Sequence, residues 1–235
     1  MLQNQAYPHP TRPADPSVME MAIYNFELKA KAFHDQRLKN STGENNKELL
    51  DKMKRDYEHL QHEKRRISAH VILQNDLEAY RDECSKSTVK KLRNEDHHPT
   101  AKLAANLTAV GEPKPTTMHE PHHIICGKGR FQQANMKLAR LNLHSHGIGI
   151  NDPYNGAWLI NYLKNKDQDW ATADAPAHRQ IHRYNYETWI ATNFTDDTLD
   201  RSRFINRLNN IKVLIKTSNF PAQVLGVKDE LWKGF

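Results

Sequence analysis

Apolar residues recur at helical spacing along the first third of the chain. Val18, Met21, Tyr24, Leu28 and Ala32 step by three and four, the period that gathers side chains on one helix face. Ser17 stands ahead of them as an N-cap. The spacing predicts a helix through "SVMEMAIYNFELKAKAFHDQRLKN", which "STGENN" ends. A second run is more regular. Leu50, Met53, Tyr57, Leu60, Lys64, Ile67 and Val71 keep the same step with one polar seat at Lys64, and the next seat, Gln74, is polar too. A seam of about three heptads suits a helical hairpin better than a long coiled coil. Residues 17–90 are therefore read as α-helical, with the first two helices antiparallel. Nothing in them looks catalytic, which leaves scaffolding or docking as their role.

The pattern changes after residue 90. "LRNEDHHPT" interrupts the helices, "AKLAANLTAV" is a short helical piece, and "GEPKPTT" is a linker with two prolines. Residues 115–195 then carry short apolar runs, turn signals and seven histidines. "HHII" and "AWLI" read as short strands joined by a long loop, and Asn155-Gly156 reads as a turn. "HRQIHRYNYETWIATNF" contains no breaker and predicts one helix, with Asp174 as N-cap and Pro176 in its first turn. A last helix is expected over residues 197–216.

Composition narrows the class. The chain has 235 residues, enough for one large domain or two modest ones. Residues 1–16 hold four prolines and read as an extended lead-in. They show no basic segment followed by an apolar core, so no Sec-type signal peptide is expected. No apolar run is long enough to span a bilayer. The net charge of +6 and pI near 9.2 tilt the chain toward polyanionic partners such as nucleic acid. Two cysteines, Cys84 and Cys126, without a CxxC, exclude a disulfide framework and a zinc knuckle. A metal site must then come from His, Asp, Glu or Asn.

The histidines supply one. His178 and His182, spaced i, i+4, project from one face of the predicted helix and suit two ligands of one ion. A third ligand can come from one member of a histidine pair. Neighbours on a strand point to opposite faces, so one can ligate while the other acts as a base. Three protein ligands leave an open position, as catalytic sites do. Two pairs are available: His97 and His98 in "NEDHHPT", and His122 and His123 in "HEPHHIICGKG". The second has the better context, because a strand, a turn and the His-x3-His helix follow it. His97 and His98 are then read as loop residues.

"HHII", "GINDPYNGAWL" and "AHRQIHRYNYETW" together resemble the AHH family of nucleases, a branch of the HNH superfamily with the ββα-metal (His-Me finger) fold. The order Glu120, His122, His123, Asn155, His178, His182 also resembles that of bacteriocin-type HNH DNases. The resemblance implies an α+β, predominantly α protein. It would hold a helical region at 17–112, a ββα-metal core at 113–195, and a C-terminal helix and tail at 196–235 packed on that core. It implies His122, His178 and His182 as ligands of one divalent metal ion (Mg²⁺, Mn²⁺ or Zn²⁺). His123 would be the general base, Asn155 the residue that ties the loop and holds His123, and Glu120 a support for the base or the ligands. The chain departs from the family at Pro121, where Ala is usual. It departs again at Cys126, where Pro often stands, and near Thr116, where some relatives carry Arg.

Phosphate contacts are expected from Arg179 and Arg183, which share the ligand helix, and from Lys128 and Arg130; Lys137 and Arg140 are further candidates. Trp158, Tyr184, Tyr186 and Trp189 are expected in the core. His144 and His146 are read as structural or exposed loop residues, and His119 has no role. The activity implied is metal-dependent endonucleolytic hydrolysis of DNA with little sequence preference. The family further implies a bacterial antagonistic toxin with a cognate immunity protein and secretion machinery, made in the cytoplasm and exported without a Sec signal into a target cell. An RNase of the same fold, a non-catalytic zinc module that binds nucleic acid, and a helical interaction protein are the alternatives.

Overall fold

A computed structural model describes residues 7–40 and 47–235. The "STGENN" break and the first residues of the lead-in lie outside them. The fold is α+β and predominantly helical, with one two-stranded sheet among the described residues. The chain divides into two compact units, residues 1–72 and 73–235. No described helix is long and apolar enough to cross a membrane.

The first unit contains α1 (Val18–Asn40) and the first part of α2 (Lys47–Lys86). Ser17 and Glu20 form a reciprocal cap: the Ser17 N–H donates to the Glu20 carboxylate (2.8 Å), and the Glu20 N–H donates to Ser17 Oγ (3.2 Å). Lys29 pairs with Glu63 at 2.6 Å and Phe33 meets Tyr57 with ring centroids 6.1 Å apart. The partner numbers rise on one helix as they fall on the other, so the two run antiparallel. The seam of α2 is only shallowly covered. Leu60 is the sole buried residue among the described residues of this unit, while Leu50 and Tyr57 are each 52% exposed. One partner helix shields one side of a stripe and leaves its margins in water.

The second unit holds α3 (Val89–Arg93), α4 (Ala101–Ala109), β1 (His119–His123), α5 (Gln133–Ser145), β2 (Gly156–Ile160), α6 (His178–Ile181), α7 (Tyr184–Phe194) and α8 (Arg201–Thr217). β1 and β2 are antiparallel, with His122 opposite Ala157 and His123 opposite Gly156. Ile124, Leu143, Leu159, Ile190, Phe194, Phe204, Leu208 and Ile215 form a continuous core that joins sheet and helices. Burying side chains of this size is the main source of stability in such a unit.

Four local expectations change. The loop between the strands contains a full helix, α5, and His144 on it is buried between Arg140 Nε and the Ile148 carbonyl. Asn155-Gly156 is not a hairpin turn: Gly156 is extended and begins β2, and a Cβ there would strike Leu103 of α4. Asp152 makes the turn instead, capping Tyr154 N at 2.9 Å. α8 begins at Arg201 rather than 197, because Asp196 folds a turn onto Thr198 and Asp200 caps Arg203 N. The helix predicted from residue 178 is broken in two. His182 leaves helical geometry (φ −72°, ψ 74°), and Arg183 is extended before α7 begins. Asp174 and Pro176 lie outside α6, whose N-cap is Ala177, with the Gln180 side chain accepting from its N–H.

Candidate metal centre and catalytic pocket

β1 places Glu120 and His122 on one face and His123 on the other, by simple strand alternation. His122 meets His178 and His182 with ring centroids 5.2 and 5.3 Å away; the last two are 4.7 Å apart. One ring nitrogen from each lies within 4.8 Å of the others. The break after α6 does not separate His178 from His182, because one turn of helix already brings His182 under His178.

Hydrogen bonds determine which nitrogens are free. His122 Nε2 lies 2.8 Å from Tyr186 Oη, and Tyr186 donates its own proton to the Ile124 carbonyl at 2.9 Å. Tyr186 must then accept from His122 Nε2–H, which leaves the Nδ1 lone pair. That Nδ1 is buried and has no partner. A buried polar atom without a partner is costly unless a ligand completes it. His178 Nδ1 donates to Glu120 Oε2 at 2.6 Å, which leaves its Nε2 as acceptor. Burial and the two neighbouring histidines push the pKa of His122 well down. Burial and His178 push His182 down to about 4. Burial also lowers His178, although Glu120 opposes it. Neutral imidazoles with converging lone pairs are what a divalent metal requires. The fit is therefore good, and an all-imidazole set favours zinc-like ions over Mg²⁺.

His123 is held by a residue the sequence reading did not single out. Its Nε2 donates to Asn151 Oδ1 at 3.1 Å. The Asn151 amide cannot be reversed, because its Nδ2 donates to Glu95 Oε1 and to the Asp96 carbonyl, both at 2.9 Å. His123 must carry its proton on Nε2, and its Nδ1 is left as a proton acceptor. Burial pushes its pKa down to about 4, although the Asn151 bond opposes this. Asn155, expected to tie the loop and to hold His123, does the first and not the second: it accepts from Ile125 N and donates to the Ile125 and Ile150 carbonyls. Its short side chain is spent on the backbone and is not bonded to the imidazole. Glu120 bonds to His178 and not to His123.

His123 faces a cavity of about 650 Å³ that also takes in Glu120, His178 and His182. Lys128, Arg130 and Arg179 line it; Arg183 does not. Arg183 follows the break after His182 and donates to the Gln180 and Gly226 carbonyls. Arg140 is a buried strut on Gly127 O, Glu95 O and His144. Glu187 was also missed. Its carboxylate accepts the N–H groups of Arg130, Phe131 and Gln132 at 2.5 to 2.8 Å, which sets the loop carrying Lys128 and Arg130. Cys126 lines the same cavity outside the histidine trio, and burial pushes its thiol up to about 12. His119 is buried between Thr116 and Asp169 and braces the start of β1. His97 and His98, read as loop residues, enter this cavity as well.

Residues 103–217 match the family model described as AHH, a nuclease family of the HNH/ENDO VII superfamily with conserved AHH. The triplet reads Pro121-His122-His123 in this chain. Neither the curated proteins nor the solved structures gave a match.

Proposed function

We propose that this chain, which belongs to the AHH nuclease family through residues 103–217, is a metal-dependent endonuclease that hydrolyses DNA phosphodiester bonds with little sequence preference. The observation that carries the metal dependence is the buried, unpartnered Nδ1 of His122 beside the free nitrogens of His178 and His182. These three residues would hold one divalent ion. When bound, such an ion supplies positive charge that polarises the phosphate and neutralises the departing oxygen.

The remaining work falls to side chains. His123 Nδ1 takes a proton from the attacking water, as Asn151 fixes the tautomer. Low intrinsic basicity keeps His123 unprotonated, and so ready to accept, across the neutral range. Lys128, Arg130 and Arg179 grip phosphate oxygens and read no bases. No base-reading motif is visible in the sequence, which supports weak sequence preference. The resemblance to bacteriocin-type enzymes supports DNA over RNA, and with it an antibacterial toxin neutralised by a cognate immunity protein and delivered into target cells by secretion machinery.

Plasmid DNA incubated with the protein and Mg²⁺, Mn²⁺ or Zn²⁺ tests the reading, with EDTA and His123→Ala as controls. Nicking that both controls abolish is the expected result. No nicking in any metal rejects the DNase; cleavage of total RNA instead would move the substrate to RNA. Tight metal retention without cleavage of either would leave a structural nucleic-acid-binding module.

A further inference from the structure

His97 and His98 precede the stretch matched to the family, which begins at residue 103, yet they line the cavity of His123. We propose that the two form a substrate-binding wall that holds the phosphodiester backbone across His123. The proposal rests on the nuclease reading above.

Placement is the first support. The two rings are 4.6 Å apart and lie 6.3 and 6.4 Å from the ring of His123. His98 shares this cavity with His178 and His182. The pair thus borders the space between the proton acceptor and the metal trio.

The segment is also built to stay there. The Glu95 carbonyl accepts from Arg140, and its carboxylate accepts from Tyr80 Oη and Ile150 N. Asn151, which orients His123, donates to Glu95 and to the Asp96 carbonyl. One amide therefore fixes the base and the start of the wall together. The His97 ring lies directly over Gly127, where any Cβ would collide with it. Gly127 needs no left-handed backbone, so the missing side chain serves the seat of the ring.

Charge decides the occupant. His97 lies against His98, and Lys128, Arg130 and Arg179 line the same cavity. Glu120 is engaged by His178 and Arg179, and Glu187 by three backbone N–H groups. An electropositive surface with its carboxylates engaged suits an anion and not a second cation. Neither His97 nor His98 makes a side-chain hydrogen bond among the described residues, so each imidazole has an N–H to offer a phosphate oxygen.

The full chain with His97→Ala, His98→Ala, both together, His98→Gln or Gly127→Ala tests this, with exposed His62→Ala as control. Two readouts are taken in each of Mg²⁺, Mn²⁺ and Zn²⁺: cleavage kinetics, and anisotropy of a labelled phosphorothioate oligodeoxynucleotide that resists cleavage. The double variant is expected to raise KM and Kd about 10–100-fold, the loss of one to two hydrogen bonds to a charged group at the low end of their worth. Its kcat should stay within about threefold, since uniform binding is what is removed. His98→Gln keeps an N–H donor and should recover part of the binding. Gly127→Ala displaces the His97 ring and should follow His97→Ala. Binding by the double variant equal to that of wild type overturns the wall, as does a loss of kcat with Kd unchanged. A wild type that binds but cuts nothing rejects the nuclease reading, while the binding comparison still decides the wall.

Discussion

Residues 7–72 and residues 73–235 obey the same local rules and reach opposite outcomes. The first stretch has strong helix signals and one buried residue, Leu60. Its stability rests on helix propensity, a reciprocal Ser17–Glu20 cap and exposed pairs such as Lys29–Glu63. The second has shorter, weaker elements but a continuous core and a dense set of buried polar bonds. Histidines illustrate the contrast. None is buried among the described residues of the first unit, whereas His119, His122, His123 and His144 are buried in the second. Periodicity builds helices; only long-range packing places an imidazole with one nitrogen bonded and the other free.

The contrast can be broken or sharpened by experiment. His123→Ala should lower kcat about 10²–10⁴-fold, the usual worth of a general base, while Leu60→Ala should leave kcat unchanged in the same plasmid assay. Comparable losses would show that the first unit contributes to catalysis. Next in size, Phe204→Ala in the fully buried core should cost about 3–5 kcal/mol in urea unfolding, and Leu60→Ala distinctly less. Equal costs would erase the difference in core depth.

Acid should act on the second unit. His119, His122, His123, His144 and His182 all have pKa values lowered by burial, below the ordinary 6.5. The folded state therefore favours their neutral forms. Their contribution is complete above 6.5 and is lost as pH falls toward the folded values, about 4 for His123 and His182. Melting curves should show Tm dropping through that window. A flat Tm would contradict the buried neutral state. Smaller again, Tyr186→Phe removes the acceptor for His122 Nε2–H. Calorimetric titration with Zn²⁺ should show affinity about 10–100-fold weaker. The smallest effect belongs to the first unit: Lys29→Ala, at an exposed pair, should change stability by about 1 kcal/mol or less.

Much of the site could be read along the chain because its parts are short-range. Glu120 and His122 share a strand face through alternation, and one helical turn relates His178 to His182. The break after His182 could not be read, because no proline or glycine marks it. Arg183 was expected to follow the ligands and turned away for the same reason. Asn155 and Asn151 sit four residues apart in one loop, and nothing local says which faces the backbone and which faces His123. Tyr186 was expected in the core and is there, but its hydroxyl also sets the tautomer of His122.

The sequence alone determined the helical character of residues 18–40 and 47–86, the strand–strand–helix order and the histidines able to meet a metal, since periodicity and spacing act over a few residues. Tertiary structure alone decided which nitrogen of each imidazole is free, that Asn151 orients His123, and that His97 and His98 reach its pocket. Those outcomes depend on bonds such as His122 to Tyr186, His178 to Glu120, and Asn151 to Glu95 and Asp96, each closed across more than fifty residues of chain. Spacing along the chain carries no record of a hydrogen bond closed over that distance.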